Sequence, residues 1–320
     1  MATRKLLLPK LLPEADVRVR VPASTSNLGP GFDAVGCALK LENVFRWTLS
    51  KKPDARTTFG GPEAKGLPET QDTIAHAAFK KVLEFVGEPS EGVMPRLSLT
   101  ASVIVPQARG LGSSSTALVA GILGASAMLR KPLEPQVLLD LAVGMEGHPD
   151  NVAPAILGGL VASASETGGC NLRLRLHRSL QFVLLIPNYE VKTADARAAL
   201  PAMVPMKDAV FNASRTPLLL EALRTGRCQR LKELMKDRLH QDYRKPLYRH
   251  YDAFEAVAYK AGAWGFCVSG AGPAMLAVVE RSRAQRVVEM LERARRAKRL
   301  PGRVLALDAA GAGARTRKLK

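Results

Sequence analysis

The 320-residue chain has few cysteines (four) and few acids, with 29 Asp and Glu against 47 Lys and Arg. It also lacks any long hydrophobic run, and each shortage excludes something. Cys37, Cys170, Cys228 and Cys267 lie far apart, with no CxxC pair and no Cys/His cluster. That spacing provides neither a structural zinc site nor a disulfide framework, and scattered thiols suit a reducing compartment. The most nearly apolar stretch, Ala117–Leu129, is too short to span a bilayer. Near the N-terminus three leucines are interrupted by Pro9 and Lys10, whereas a signal peptide needs about seven apolar residues and a small-residue cleavage site. A cytoplasmic protein with no membrane partner is expected.

The scarcity of acid leaves a net charge of +18, unevenly spread. Residues 281–320 hold 13 Lys and Arg against 3 Asp and Glu, so this stretch alone carries +10. A basic tail can contact nucleic acid through its phosphates. Here no aromatic residues interleave the charges and no nucleic-acid motif accompanies them. The expectation is a solvated helix face and a frayed terminus, with no nucleic-acid partner.

What remains is ordinary globular material, 47% apolar and 24% charged, enough for a sizeable core, and the length suggests two domains. Residues 17–21 alternate strictly, as a half-buried strand does, and residues 41–50 favour a second strand. Asp72–Val86 has helical periodicity. Leu97–Val105 reads as a strand, Ser113–Leu129 as a buried helix, and Pro135–Met145 and Asn151–Leu157 as further helices. Beyond Gly168-Gly169 strands are expected at 172–176, 181–187, 265–269, 274–279 and 303–308. Helices are expected at 193–200, 217–223, 230–239, 253–261 and 284–299. Strands and helices mix without regular βαβ alternation, which predicts an α+β fold. A boundary near 165–170 divides it into domains 1–167 and 168–320.

Four segments carry the chemistry. The first is Pro106-Gln-Ala-Arg-Gly-Leu-Gly-Ser-Ser-Ser-Thr116. A strand ends, two glycines let the backbone approach a ligand, and a helix begins whose free N–H groups and dipole favour an anion. The lysine of the GxxxxGK[ST] loop is absent, so this is a different kind of phosphate loop. The second is Glu146-Gly-His-Pro-Asp-Asn-Val-Ala-Pro154, which packs a His, two acids and an Asn before an apolar helix. Asp150 or Asn151 could serve as an N-cap, but capping does not call for His148 and Glu146 as well. In the third, Pro22-Ala-Ser-Thr-Ser-Asn-Leu-Gly-Pro-Gly-Phe-Asp33, Asn27 and Asp33 are placed to bind polar groups. The fourth, Val268-Ser-Gly-Ala-Gly-Pro273, is a glycine loop between apolar strands. It has a function only if its backbone sits against another loop or a ligand.

Together these segments resemble the GHMP small-molecule kinases. The order and spacing of Asn-Leu-Gly-Pro-Gly-Phe-Asp, PxxxGLGSSS and SGAGP match that family, and Glu146–Pro154 with the first loop resembles its homoserine-phosphorylating members. The resemblance covers roughly residues 17–310. It implies an N-terminal domain like the second domain of ribosomal protein S5, a ferredoxin-like C-terminal domain, and a homodimer. It also implies transfer of phosphate from ATP to the hydroxyl of L-homoserine, with Mg²⁺, on the route to threonine.

The resemblance carries roles onto matching residues. Pro106, Gly110, Leu111, Gly112, Ser113, Ser114, Ser115 and Thr116 would hold the ATP phosphates. Ser114 would ligand Mg²⁺ with Asp140, or with Glu146 as the alternative. Asp33 would take the ammonium of homoserine, and Arg197 and Arg244 its carboxylate. Asn27, His148 and Asn151 would complete the pocket, with Asn27 and Ser114 closest to the chemistry. An Asp–Lys pair that some members use as a base has no obvious equivalent. Where the family often has Asn-Leu at the adenine end, this chain has Asp72-Thr73, and Asp cannot donate as Asn does.

Overall fold

A computed structural model describes residues 11–164 and 170–319. The chain opens with two long strands, β1 (Ala15–Ser26) and β2 (Val35–Leu49), then β3 (Thr57–Gly60), α1 (Ile74–Val86) and β4 (Leu97–Ser102). Three helices follow, α2 (Ser113–Met128), α3 (Pro135–Glu146) and α4 (Pro149–Leu157), and then β5 (Leu160–Ser163) and β6 (Asn171–Leu174). The second half runs β7 (Leu180–Pro187), α5 (Thr193–Ala198), α6 (Met206–Thr225), α7 (Leu231–Leu234), α8 (Gln241–Arg244) and α9 (Tyr251–Ala261). It closes with β8 (Gly265–Val268), β9 (Met275–Glu280), α10 (Ala284–Ala297), β10 (Gly302–Leu307) and β11 (Arg315–Lys318). No helix among the described residues is long and apolar enough to cross a membrane.

The first sheet has the order β11-β1-β2-β4-β3, with β5 added to the start of β2 and β6 to β5. Its inward residues, among them Val17, Val19, Phe45, Trp47 and Leu99, pack on α1, α2 and α3. The expected buried helix, α2, is apolar around its whole circumference because sheet and helices enclose it. Its glycines set the spacing: a Cβ on Gly121 would collide with the Ala75 carbonyl of α1, and one on Gly124 with the Trp47 indole. The second sheet is antiparallel, β10-β7-β9-β8. Counted within this half, the strand order is 4-1-3-2, the split βαβ arrangement of a ferredoxin-like fold. Alternation along its strands serves two cores. Val183, Leu185, Met275 and Ala277 face α9 and α10. Phe182, Leu184, Leu276 and Val278 face a cluster that also contains Ala23, Leu28, Leu39, Val105 and Leu111 of the first half. One apolar cluster thus joins the two halves, and the loops of the first and third motifs contribute Leu111, Ala23 and Leu28 to it.

The α+β expectation and the ferredoxin-like second half hold, while several details differ. The expected boundary lies mostly on residues 165–169, outside the described residues, and strands from beyond it, β6 and β11, join the first sheet. Helix α6 begins eleven residues before the expected Pro217. Its early buried position is polar, Asn212, so apolar periodicity gives no sign of it. The helix expected at 230–239 shrinks to α7, because the Asp237 carboxylate takes the N–H groups of Leu239, His240 and Gln241 and turns the chain.

The basic C-terminus is not frayed. Arg315–Lys318 pairs in register with Arg20–Val17 of β1, and the Ala314 and Leu319 N–H groups bond Ala155 and Asp16 carbonyls at 2.8 and 2.7 Å. Deleting residues 312–320 therefore lowers stability by about 2 kcal/mol, the net worth of a few backbone hydrogen bonds. Urea unfolding checks this, and an unchanged midpoint would restore the frayed-end reading.

Candidate active site

The register between β1 and β2 shifts between Pro22 and Ala23, and the last residues of β1, Ala23–Ser26, pair with the start of β2. The loop that follows places Asn27, Leu28 and Asp33 at positive φ, 70°, 48° and 54°, a conformation that costs a non-glycine residue energy and is held only by its surroundings. Asn27, 3% exposed, supplies part of the hold. Its Oδ1 accepts the Asp33 N–H at 3.0 Å and its Nδ2 donates to the Gly270 carbonyl at 3.1 Å. One amide N–H and one lone pair remain for a ligand.

The glycine-serine loop sits between this segment and the SGAGP loop. Gly110 and Gly112 have φ of 72° and 65°. A Cβ on Gly110 would strike the Ser269 carbonyl, and one on Gly112 the Ser24 hydroxyl. The glycines are thus required by the neighbouring loops as well as by any ligand. The fourth motif meets its condition for a function: Ser269 Oγ donates to the Gly110 carbonyl at 2.6 Å and Gly270 N–H to the Ser26 carbonyl at 3.1 Å.

Helix α2 starts at Ser113 with no side-chain cap, which leaves its first N–H groups for an anion. The hydroxyls of Ser113, Ser115 and Thr116 donate to the Val105 carbonyl, the Glu146 carboxylate and the Ser113 carbonyl. Ser114 is exposed on the cavity wall. Pro106 and Thr116, expected to touch phosphate, are buried behind the loop and do not line the cavity.

Asn43 had no signal in the sequence beyond its place in a strand. It is 1% exposed. Its Oδ1 accepts the N–H groups of Ile104 and Val105 at 2.7 and 2.9 Å, and its Nδ2 donates to Thr116 at 2.8 Å. It clamps both ends of the phosphate loop. Asn43→Ala leaves the buried Val105 N–H and the partly buried Ile104 N–H without their acceptor and costs about 2 kcal/mol. A loss below about 1 kcal/mol in denaturant unfolding would show that the clamp is not needed.

The acidic partner of the loop needs a correction. Asp140 is exposed on α3, hydrogen-bonded by Gln136 at 2.7 Å, and does not line the cavity. Glu146, at the end of the same helix, does, and accepts the Ser115 hydroxyl at 2.8 Å. Helical rotation between positions 140 and 146 turns one carboxylate to solvent and the other to the loop. Burial raises the pKa of Glu146 against the opposing effect of the Ser115 hydrogen bond.

Neither Asp150 nor Asn151 caps α4. His148 occupies the N-cap position without a side-chain cap bond. Its Nδ1 instead pairs with buried Asp150 at 2.5 Å. Burial opposes protonation of His148, but the Asp150 hydrogen bond and the Asp150, Asp33 and Glu146 charges outweigh it and raise the pKa. Asn151 bonds Ser24 and Ser26 at 2.9 and 3.0 Å, tying α4 to β1. Ligand atoms of Asp33, His148 and Asp150 lie within 4.8 Å of one another.

Two arginines arrive from the second half. Arg197 on α5 makes a bidentate pair with Asp33 at 2.9 and 3.0 Å. Arg244 on α8 is 3% exposed and lines the same cavity, its Nε donating to the Ala196 carbonyl at 2.9 Å. Among the described residues no carboxylate lies within salt-bridge distance of it. Burial lowers its pKa. Both guanidiniums lie over the Phe32 ring, at 5.8 and 5.1 Å from its centre. Asn27, Asp33, Ser114, Glu146, His148, Asn151, Arg197 and Arg244 border one cavity of about 540 Å³, a size typical of small-molecule sites. Asp72 lines its far end, but Thr73, not Asp72, caps α1.

Residues 73–159 match the GHMP kinases N terminal domain and residues 219–297 the GHMP kinases C terminal domain. A homoserine kinase of Trichormus variabilis is 38% identical over 301 residues, 93% of this chain and 98% of its own length. One from Nostoc punctiforme is 41% identical over 272 residues, 85% and 88% of the two chains. The chain belongs to the homoserine kinase family. The crystal structure of a homoserine kinase from Cytophaga hutchinsonii superposes with a TM-score of 0.84 over 99% of this chain and 100% of its own. At 24% identity that likeness speaks for the fold alone. Membership of this kinase family fits what the geometry offers: an open helix N-terminus for phosphate, beside a pocket with cations and acids.

Proposed function

We propose that this enzyme transfers the γ-phosphoryl group of ATP to the hydroxyl of L-homoserine, giving ADP and O-phospho-L-homoserine on the route to threonine. The observation that carries the reading is Arg244, a buried cation with no carboxylate in salt-bridge range among the described residues, beside the Asp33–Arg197 pair. A buried charge is costly unless paired, and an amino-acid carboxylate supplies the missing charge. Asp33 offers the complementary acid for the ammonium. A sugar has neither group, and mevalonate has no ammonium.

Phosphoryl transfer has a loose transition state, so positioning and charge neutralisation dominate. The N–H groups at the start of α2, with Gly110 and Gly112, receive the phosphates. Asn27, His148 and Asn151 hold the amino acid so that its hydroxyl oxygen bonds to the γ-phosphorus as the bond to the β-phosphate oxygen breaks and the hydroxyl proton is released to solvent. The Ser114 hydroxyl and the Glu146 carboxylate are hard oxygen donors that suit Mg²⁺. When bound, Mg²⁺ would neutralise charge on the phosphoryl oxygens. Incubation with Mg-ATP and a panel of homoserine, mevalonate, shikimate and galactose, followed by ADP release, tests the reading. Turnover of homoserine is expected. No turnover of homoserine while another alcohol reacts would overturn it.

A further inference from the structure

Behind the pocket lies a buried polar network that the phosphoryl transfer does not use. Asp237 accepts four hydrogen bonds, from Asn212 Nδ2 and the N–H groups of Leu239, His240 and Gln241, at 2.6 to 3.0 Å. Asn212 Nδ2 also donates to the Pro30 carbonyl at 3.1 Å. At the centre is His240, fully buried. Its Nε2 lies 2.8 Å from the Gly29 carbonyl. A carbonyl only accepts, so Nε2 carries the proton. Nδ1 is then a lone pair, and it faces the Arg244 guanidinium at 3.5 Å, a group that only donates. The imidazole also stacks on Phe32, with centroids 5.0 Å apart and planes 21° apart.

His240 therefore touches the acceptor loop twice, at Gly29 and Phe32, and the substrate-facing cation once. A single neutral tautomer satisfies both polar contacts. Protonation would set a second N–H against the guanidinium, and burial of the ring opposes it. Through Arg244 Nε and the Ala196 carbonyl the same chain of contacts reaches α5, next to Arg197. No other side chain among the described residues joins the Gly29–Asp33 loop to Arg244 by hydrogen bonds.

We propose that His240 is a positioning residue for the amino-acid acceptor: in its neutral Nε2–H form it holds the Arg244 guanidinium at a set distance from the Asn27–Asp33 loop, and so sets the span between the groups that receive the carboxylate and the ammonium. The proposal rests on the homoserine reading above. It concerns how substrate is bound, not how the phosphoryl group moves, because His240 lies behind the pocket wall and does not line it.

The test is steady-state kinetics on the full-length enzyme with both substrates varied. His240→Leu keeps bulk but removes the donor to Gly29 and the acceptor for Arg244. His240→Gln keeps an N–H for the Gly29 carbonyl and loses the ring that spans to Arg244, so the loop remains anchored if the leucine variant does not fold. The expected result is a rise in homoserine KM of about tenfold or more for leucine and a smaller rise for glutamine, each losing contacts worth about one tenfold step. The ATP KM stays within about twofold and kcat within about threefold, since the phosphate loop is untouched. A purely structural role would move both KM values together with the melting temperature, and that outcome overturns the proposal. So does an unchanged homoserine KM in a folded variant. A wild-type enzyme that does not phosphorylate homoserine overturns the acceptor reading itself, and this proposal with it.

Discussion

Replacing Arg244 by methionine raises the KM for L-homoserine at least about 30-fold, because removing one partner of a desolvated, hydrogen-bonded charge pair costs about 2 to 5 kcal/mol. The guanidinium is nearly fully enclosed, and among the described residues no carboxylate lies within salt-bridge distance of it. Its charge is therefore available to the substrate in full, and no ion pair within the protein compensates its loss. Arg197 differs. It is partly exposed and already paired with Asp33, so its own pair with the substrate carboxylate is screened and shared. Arg197→Met accordingly raises the same KM by a smaller factor. In both variants the ATP KM holds, and kcat changes less than KM, since the lost interaction is made equally in the ground and transition states. A folded Arg244→Met enzyme whose homoserine KM moves less than about threefold would remove Arg244 from the carboxylate site.

The second large effect concerns Glu146. Glu146→Gln keeps the size of the side chain and an acceptor for the Ser115 hydroxyl but removes the negative charge proposed to hold Mg²⁺. Loss of metal charge stabilisation at a transferring phosphoryl group is worth several kcal/mol, so kcat falls by about 100-fold or more. The Mg²⁺ concentration for half-maximal rate rises in parallel. Homoserine binding, proposed to rest on Arg244 and Asp33, is expected to be preserved. The companion variant Asp140→Asn serves as the control. Its side chain faces solvent, and its kinetics stay at the wild-type level. If Asp140→Asn loses activity while Glu146→Gln does not, the metal assignment reverts to the residue suggested by family resemblance.

This contrast shows where motif spacing stops being informative. Asp140 and Glu146 lie on the same helix, six residues apart. The family resemblance admits both. Only the packing of α3 against the loop decides which carboxylate faces it. Asn43 is the reverse case, a strand residue of unremarkable pattern whose amide holds both ends of the phosphate loop. Its role depends on the approach of residues 104–116, which leaves no periodic mark. His240 and Asp237 stand in a segment that reads as one helix, yet Asp237 ends that helix by taking three backbone N–H groups.

By itself the sequence determined the local devices. Glycine at 110 and 112, serines opening an apolar helix, and alternation along β1 are short-range requirements of the backbone and of burial, so they stand in the letters. It also determined the composition of the pocket, the acids, amides and arginines an amino-acid alcohol needs. The tertiary structure decided the pairings. It set Arg197 on Asp33, buried Arg244 with no carboxylate in salt-bridge range among the described residues, turned Ser115 to Glu146, and drew the basic C-terminus back as β11. The physical reason is that burial and long-range approach set the cost of each charge and the partner of each polar group, and both depend on which surfaces the folded chain brings together.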